Sequence, residues 1–318
     1  MNRASAWRRF WLLAILAALP ALAQQRIDLV LGTATAGGGF EVYGKALAQT
    51  VTAVDPQLVV EPRNTAGSVE NLALLKSGAL DLGLVQGEAA HQAFTASAAE
   101  TSPLRIVAAM YPTAGMFVVR ADSLYRSIDD LRGKPVVFGA RGSGLVLLAR
   151  HVLDGIGLDM EKDFVPVLLE RAGDGPALLR DGRVAALWGG GRGWPVFAAV
   201  MAAPGGGRFI APNREQIDRI RARHPSLQLQ TLAPDSFPGQ SGAIESVGSW
   251  SFILARRSLS DDKAYRFCRA LHLGAARFSE RLPQARDTTI ANTVAALPGR
   301  EWLHPGARRC LAEQGILH

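Results

Sequence analysis

Two glycine-rich loops hold the residues of this chain best suited to binding chemistry. Gly37-Gly-Gly-Phe-Glu-Val-Tyr-Gly-Lys45 follows an apolar run and opens a helical pattern, and Gly139-Ala-Arg-Gly-Ser-Gly144 repeats the arrangement further along. Glycine lets backbone N–H groups come close to an anion at a helix N-terminus. The segment Gly39-x4-Gly44-Lys45 nearly matches a nucleotide phosphate loop, but Ala46 stands where a Ser or Thr hydroxyl would hold magnesium. Nucleotide hydrolysis is therefore disfavoured and a simpler anion or carboxylate site is expected. In the second loop Ser143 is placed to cap a helix and donate to a ligand, and the planar fork of Arg141 suits a carboxylate. The competing readings are a tight turn with no ligand, a serine that only caps and an arginine in solvent.

A third segment completes the set. Ser68 is expected to cap a helix carrying Leu72, Leu74 and Leu75, and Gly78 to end it. Asp81 to Val85 reads as a buried strand ending in the polar residues Gln86 and Glu88. Glu41 and Glu88 are suited to an ammonium group, or else to stabilising the first turn of a helix. Trp188 and Trp194 flank another glycine-rich turn, and Tyr111 and Trp250 lie near expected crossings, as pocket walls or as core. A hydrolase would need a nucleophile with its base. His91, His151, His224, His272 and His304 are scattered singly, and neither GxSxG nor HExxH occurs.

The elements that must position these residues alternate between strand-like and helical patterns, which argues for α/β layers with mostly parallel sheets. Strands are expected at Ile27 to Leu31, Leu58 to Glu61, Leu82 to Val85 and Ile106 to Met110, with the first set ending near Tyr111-Pro112. Met116 to Arg120 reads as a strand leaving that set. A second set follows, with strands at Val136 to Gly139, Phe164 to Leu169 and Val184 to Trp188, then a loop-rich stretch. Trp250 to Ala255 returns the chain to the first set, Asp261 to Phe278 reads as the longest helix, and Leu303-His-Pro-Gly306 opens the last. The expected organisation is two α/β lobes joined by two crossings: residues 24–114 with 247–318, and residues 115–246.

At 318 residues, 48% hydrophobic and 20% charged, the chain has an ordinary globular composition. Arg3, Arg8 and Arg9 precede the apolar run Phe10 to Leu19, Pro20 and Ala21-Leu-Ala23. This reads as a secretory signal peptide over residues 1–23, which places the mature chain in the periplasm. Taking those three arginines from the 35 basic residues leaves 32 against 28 acids, a net charge of +4. No basic block stands out, so nucleic acid is not an expected partner. Cys268 and Cys310 admit a disulfide or two separate buried thiols, and no metal or cofactor motif appears.

In their order, several pieces resemble the TAXI-type solute receptors of TRAP transporters. They are Leu31-Gly-Thr33 to Gly38, Gly67-Ser-Val-Glu-Asn71, Asp81 to Gln86, Ser127 to Lys134, Gly142-Ser-Gly144, Phe237-Pro-Gly239 and Leu303 to Gly306. The resemblance implies a type II periplasmic-binding-protein fold, no catalysis, a small organic anion or amino acid held between the lobes, and TRAP membrane subunits as partner. The expected ligand-binding residues are Thr33, Gly38, Gly39, Phe40, Glu41, Ser68, Gln86, Glu88, Arg141, Ser143 and Trp188. Phe40-Glu41 replaces a usual Tyr-Tyr pair, and Glu41 offset by Arg141 would favour a zwitterion or larger organic acid. The alternatives are a binding protein feeding a signalling partner, or a secreted hydrolase.

Overall fold

The computed structural model describes residues 26–315; the expected signal peptide lies outside them. In chain order the elements are β1 (Ile27–Gly32), α1 (Gly39–Val54), β2 (Leu58–Arg63), α2 (Ser68–Ser77), β3 (Leu82–Val85), α3 (Gly87–Thr95) and β4 (Leu104–Arg120). There follow β5 (Pro135–Ala140), α4 (Gly144–Gly155), β6 (Val165–Leu169), α5 (Gly175–Arg180), β7 (Ala186–Gly190) and α6 (Pro195–Ala202). The chain continues through β8 (Gly207–Ile210), α7 (Arg214–Arg223), β9 (Gln228–Leu232) and β10 (Ile244–Arg256). Helices α8 (Asp261–Leu273), α9 (Ala275–Arg281), α10 (Ile290–Ala296) and α11 (Pro305–Ala312) complete it.

The strands form one continuous path, β2-β1-β3-β10-β4-β7-β5-β6, with β8 beside β4 and β9 beside β10. Pairs β1–β2, β1–β3, β5–β6 and β5–β7 are parallel, as βαβ crossovers require, whereas β10 and β4 pair antiparallel with each other. These two long strands run from one lobe into the other. One hydrophobic core is built from residues between Leu29 and Tyr111 together with residues between Phe252 and Leu311. Two further cores lie between Ala114 and Val247. The molecule is thus two α/β lobes joined by two crossing strands.

Several expectations need correction. The two strands expected on either side of Tyr111-Pro112 are a single 17-residue strand, β4. Pro112 lies opposite Trp250 beside a register shift in the β4–β10 ladder, and a bulge is where a strand tolerates a missing N–H. The helix expected to run to Phe278 breaks at Gly274, where an added Cβ would come within 2.5 Å of Thr50 Cγ2 on α1. Helix α1, at 16 residues, is therefore longer than α8. The stretch expected to be loop-rich contains β8, α7 and β9. The start of α7 was legible, because Asn213 and Gln216 form a reciprocal capping box. Cys268 on α8 and Cys310 on α11 are buried free thiols, not a disulfide; the Cys310 thiol and burial push the Cys268 thiol up.

Burial also lowers the pKa of His272 and His304, His272 the further of the two. His272 has a buried Nε2 without a hydrogen-bond partner, and desolvation lowers its pKa from 6.5 to about 4. The unfolded chain then binds more protons than the folded one between these values. Stability falls as pH drops from about 6.5 toward 4 and levels off below, a change of about 3 kcal/mol. Denaturant unfolding of His272→Gln at pH 7 and 4.5 is expected to show this acid limb flattened; an unchanged limb would assign it to other groups.

Candidate functional site

A cavity of about 60 Å³ lies where the lobes meet, beside the crossing strands. Its walls include the N-termini of α1, α2 and α4, which bring Gly38 and Gly39, Gly67 and Ser68, and Ser143 and Gly144 to one place. The first N–H groups of a helix have no acceptor within it, so each start presents unpaired donors and a positive dipole end. Local sequence explains each start. Gly67 adopts φ +123°, a region open to glycine, and Ser143 caps α4 by accepting from Leu145 N at 3.2 Å. Ser68 is not the cap expected of it; it is the first residue of α2, and its Oγ accepts from Gln86 N at 3.0 Å.

Behind these loops, Asn71 is fully buried and fixes the strand tips. Its Nδ2 donates to Thr33 O and Leu84 O, both at 2.8 Å, and its Oδ1 accepts from Thr65 Oγ1 at 2.8 Å. Gln86 caps α3, a helix not expected from the sequence. Gln86 Oε1 accepts from Glu88 N at 3.0 Å and its Nε2 donates to Ser249 on β10 at 3.1 Å.

The lobes touch directly around the cavity. Val69 N donates to Gly142 O at 3.3 Å, Gly173 N to Ala36 O at 3.3 Å, and Ala172 N to Thr35 Oγ1 at 3.2 Å. A Cβ on Gly144 would lie 2.5 Å from Gln86 Cβ and 2.9 Å from Ser68 Oγ. Glycine is what permits so close an approach.

Of the expected ligand residues, Gly38, Gly39, Phe40, Ser68, Gln86, Ser143 and Trp188 line this cavity. The other four are placed elsewhere. Thr33 is buried behind the loop, its Oγ1 donating to Arg63 O at 3.0 Å. Glu41 turns back, accepting from Gly37 N at 2.8 Å and from Lys45 at 2.6 Å, and the lysine holds its carboxyl below the usual range. That pair also occupies the lysine of the near-miss phosphate loop. Arg141 is 69% exposed and faces Glu170 at 3.5 Å. Glu88 is fully buried, yet its Oε2 reaches across to the other lobe, to His151 Nδ1 at 2.6 Å and Ser226 Oγ at 3.3 Å.

The aromatic residues do both jobs that the sequence left open. Trp188 is completely buried, packs against Phe117 and donates from Nε1 to Leu145 O at 2.9 Å, while one edge faces the cavity. Trp194 and Tyr111 also line it, and burial pushes the Tyr111 hydroxyl up, so it stays protonated. Thr35 and Thr113 line the cavity too and were missed; lone threonines in apolar surroundings carry no sequence signal. Trp250 is not among the lining residues. Neither Ser68 nor Ser143 hydrogen-bonds a histidine among the described residues: His151 meets Glu88, His224 meets Asp154 and His304 meets Leu259 O.

A family model described as the NMT1-like family matches residues 31–315. The chain belongs to that family. The match takes in both lobes, both crossing strands and all the lining residues. Among solved structures, it is similar to the alkanesulfonate-binding protein SsuA from Xanthomonas axonopodis pv. citri bound to MOPS. The two are 19% identical over 91% of this chain and 84% of that one, with a TM-score of 0.50. It is also similar to the periplasmic binding protein BugD, 13% identical over 92% of this chain and 94% of that one, with a TM-score of 0.55. Identities this low speak to fold, and the fold is that of the periplasmic binding proteins.

Proposed function

We propose that this member of the NMT1-like family is an extracytoplasmic receptor that encloses a small organic anion between its lobes. The carrying observation is that three helix N-termini, from both lobes, converge on one interlobe cavity. The moving bodies are residues 24–114 with 247–318, and residues 115–246. Bound solute favours closure because its donors come from both bodies and meet only when the loops at Gly67 and Gly142 touch. SsuA, which shares the fold, is named for binding alkanesulfonates; the anion reading here rests on the cavity itself.

Delivery to a membrane transporter belongs to the same proposal. The ordered motifs that resemble TAXI receptors favour a TRAP-type partner, and periplasmic binding proteins share the fold. Reconstituting TRAP membrane subunits in vesicles and measuring uptake with and without the receptor tests the partner. Calorimetry and small-angle scattering with an organic-anion panel test the receptor: saturable binding with compaction is expected. Unchanged melting temperature and scattering across a broad metabolite library would overturn it.

A further inference from the structure

Resting on that receptor reading, we propose that the solute carries one anionic head, a carboxylate or sulfonate, on a compact apolar body, with neither an ammonium group nor a second acid. The polar side of the cavity is rich in donors. Ser68 Oγ, Ser143 Oγ and Thr35 Oγ1 each accept a backbone N–H, from Gln86, Leu145 and Ala172 respectively, which leaves each hydroxyl hydrogen to give. The Gln86 carboxamide is oriented by Glu88 N and Ser249, so its oxygen is engaged and a second N–H remains. With the first-turn amides at Gly39, Ser68 and Gly144, these groups suit an anionic acceptor, and none of them carries a negative charge to balance a cation.

Among the described residues, no lysine, arginine, histidine, aspartate or glutamate lines the cavity. The acids that would have received an ammonium group are engaged elsewhere, Glu41 by Lys45 and Glu88 by His151. Arg141, which would have taken a second carboxylate, faces Glu170 outside. A single anion can be held by helix N-termini without a counter-charge, but a buried ammonium or second carboxylate would have no partner. The remaining wall is apolar and comes mainly from the second lobe: Val137, Leu169, Leu187, Val196 and the indole of Trp194. It gives a hydrocarbon body somewhere to bury. The volume, about 60 Å³, is far below the roughly 300–1,000 Å³ of sites for drug-sized ligands, so the body is compact.

Matched probes test this on the whole mature chain by calorimetry and thermal shift. Isovalerate, benzoate and benzenesulfonate are the single-anion probes, the last two separating a carboxylate from a sulfonate head. L-valine is isovalerate with an ammonium group, isovaleramide is its neutral form, and succinate and L-glutamate carry a second acid. At least one single-anion probe is expected to bind, with L-valine and the diacids about 100-fold weaker than isovalerate and isovaleramide at least about 10-fold weaker. L-valine, L-glutamate or succinate binding as tightly as the best single-anion probe would overturn the solute class and leave the receptor standing. So would stabilisation by a cell extract when every single-anion probe fails. No stabilisation by any probe or extract would overturn the receptor reading as well.

Discussion

Gly144→Val is expected to weaken solute binding about 5- to 150-fold while leaving the unliganded fold intact. Gly144 starts α4, and an added Cβ would fall 2.5 Å from Gln86 Cβ and 3.0 Å from Gln86 Oε1, on the facing lobe. Overpacking of this kind costs about 1–3 kcal/mol, which is that range of affinity. The lobes escape the clash by staying apart, so the cost falls on closure and not on either core. Calorimetry with the wild-type ligand should show the loss, and scattering should show a larger radius that ligand no longer reduces. Unchanged affinity would mean that the solute is held without the contact between Gly144 and Gln86.

Trp188→Ala is expected to have the largest effect on stability, about 3–5 kcal/mol. The indole is completely buried in the second lobe beside Phe117, its ring lies over Gly115, and its N–H pairs with Leu145 O. Truncation opens a void and removes the indole's hydrogen bond to the first turn of α4. The residue sits on β7, between β4 and β5, so the damage reaches the strand that joins the lobes. Denaturant unfolding should show the loss, and Trp188→Phe, which keeps much of the packing but not the hydrogen bond, should recover part of it. A loss below about 1 kcal/mol would show that the site collapses around the gap.

These two predictions separate the jobs of the glycines and the aromatic residues. Gly67, Gly142 and Gly144 decide how close the lobes come. Trp188 and Trp194 decide what remains between them, because each belongs to a lobe core and also turns a face to the cavity. Glu88 serves closure in a third way, as a buried carboxylate of one lobe answered by His151 and Ser226 of the other. Removing one partner of such a pair costs more than the pair itself contributes, because the buried carboxylate is left unanswered.

Alternating apolar runs and glycine punctuation were enough to read two α/β lobes and two crossings from the amino-acid order. They also marked three loops that meet at the cavity, because strand periodicity, serines at helix starts and glycines are local signals. What lay beyond local reach was direction. Glu41, Glu88 and Arg141 sit beside those loops in sequence, but each is turned away by a partner: a lysine one helical turn on, a histidine 63 residues on, and a glutamate just past the end of β6. Thr35, Thr113 and the uncharged lining of the cavity likewise emerged once the lobes had met. Spacing along the chain determines which element a residue joins, whereas the charge inside a closed cavity depends on which side chains find partners outside it, and that is settled by packing between distant segments.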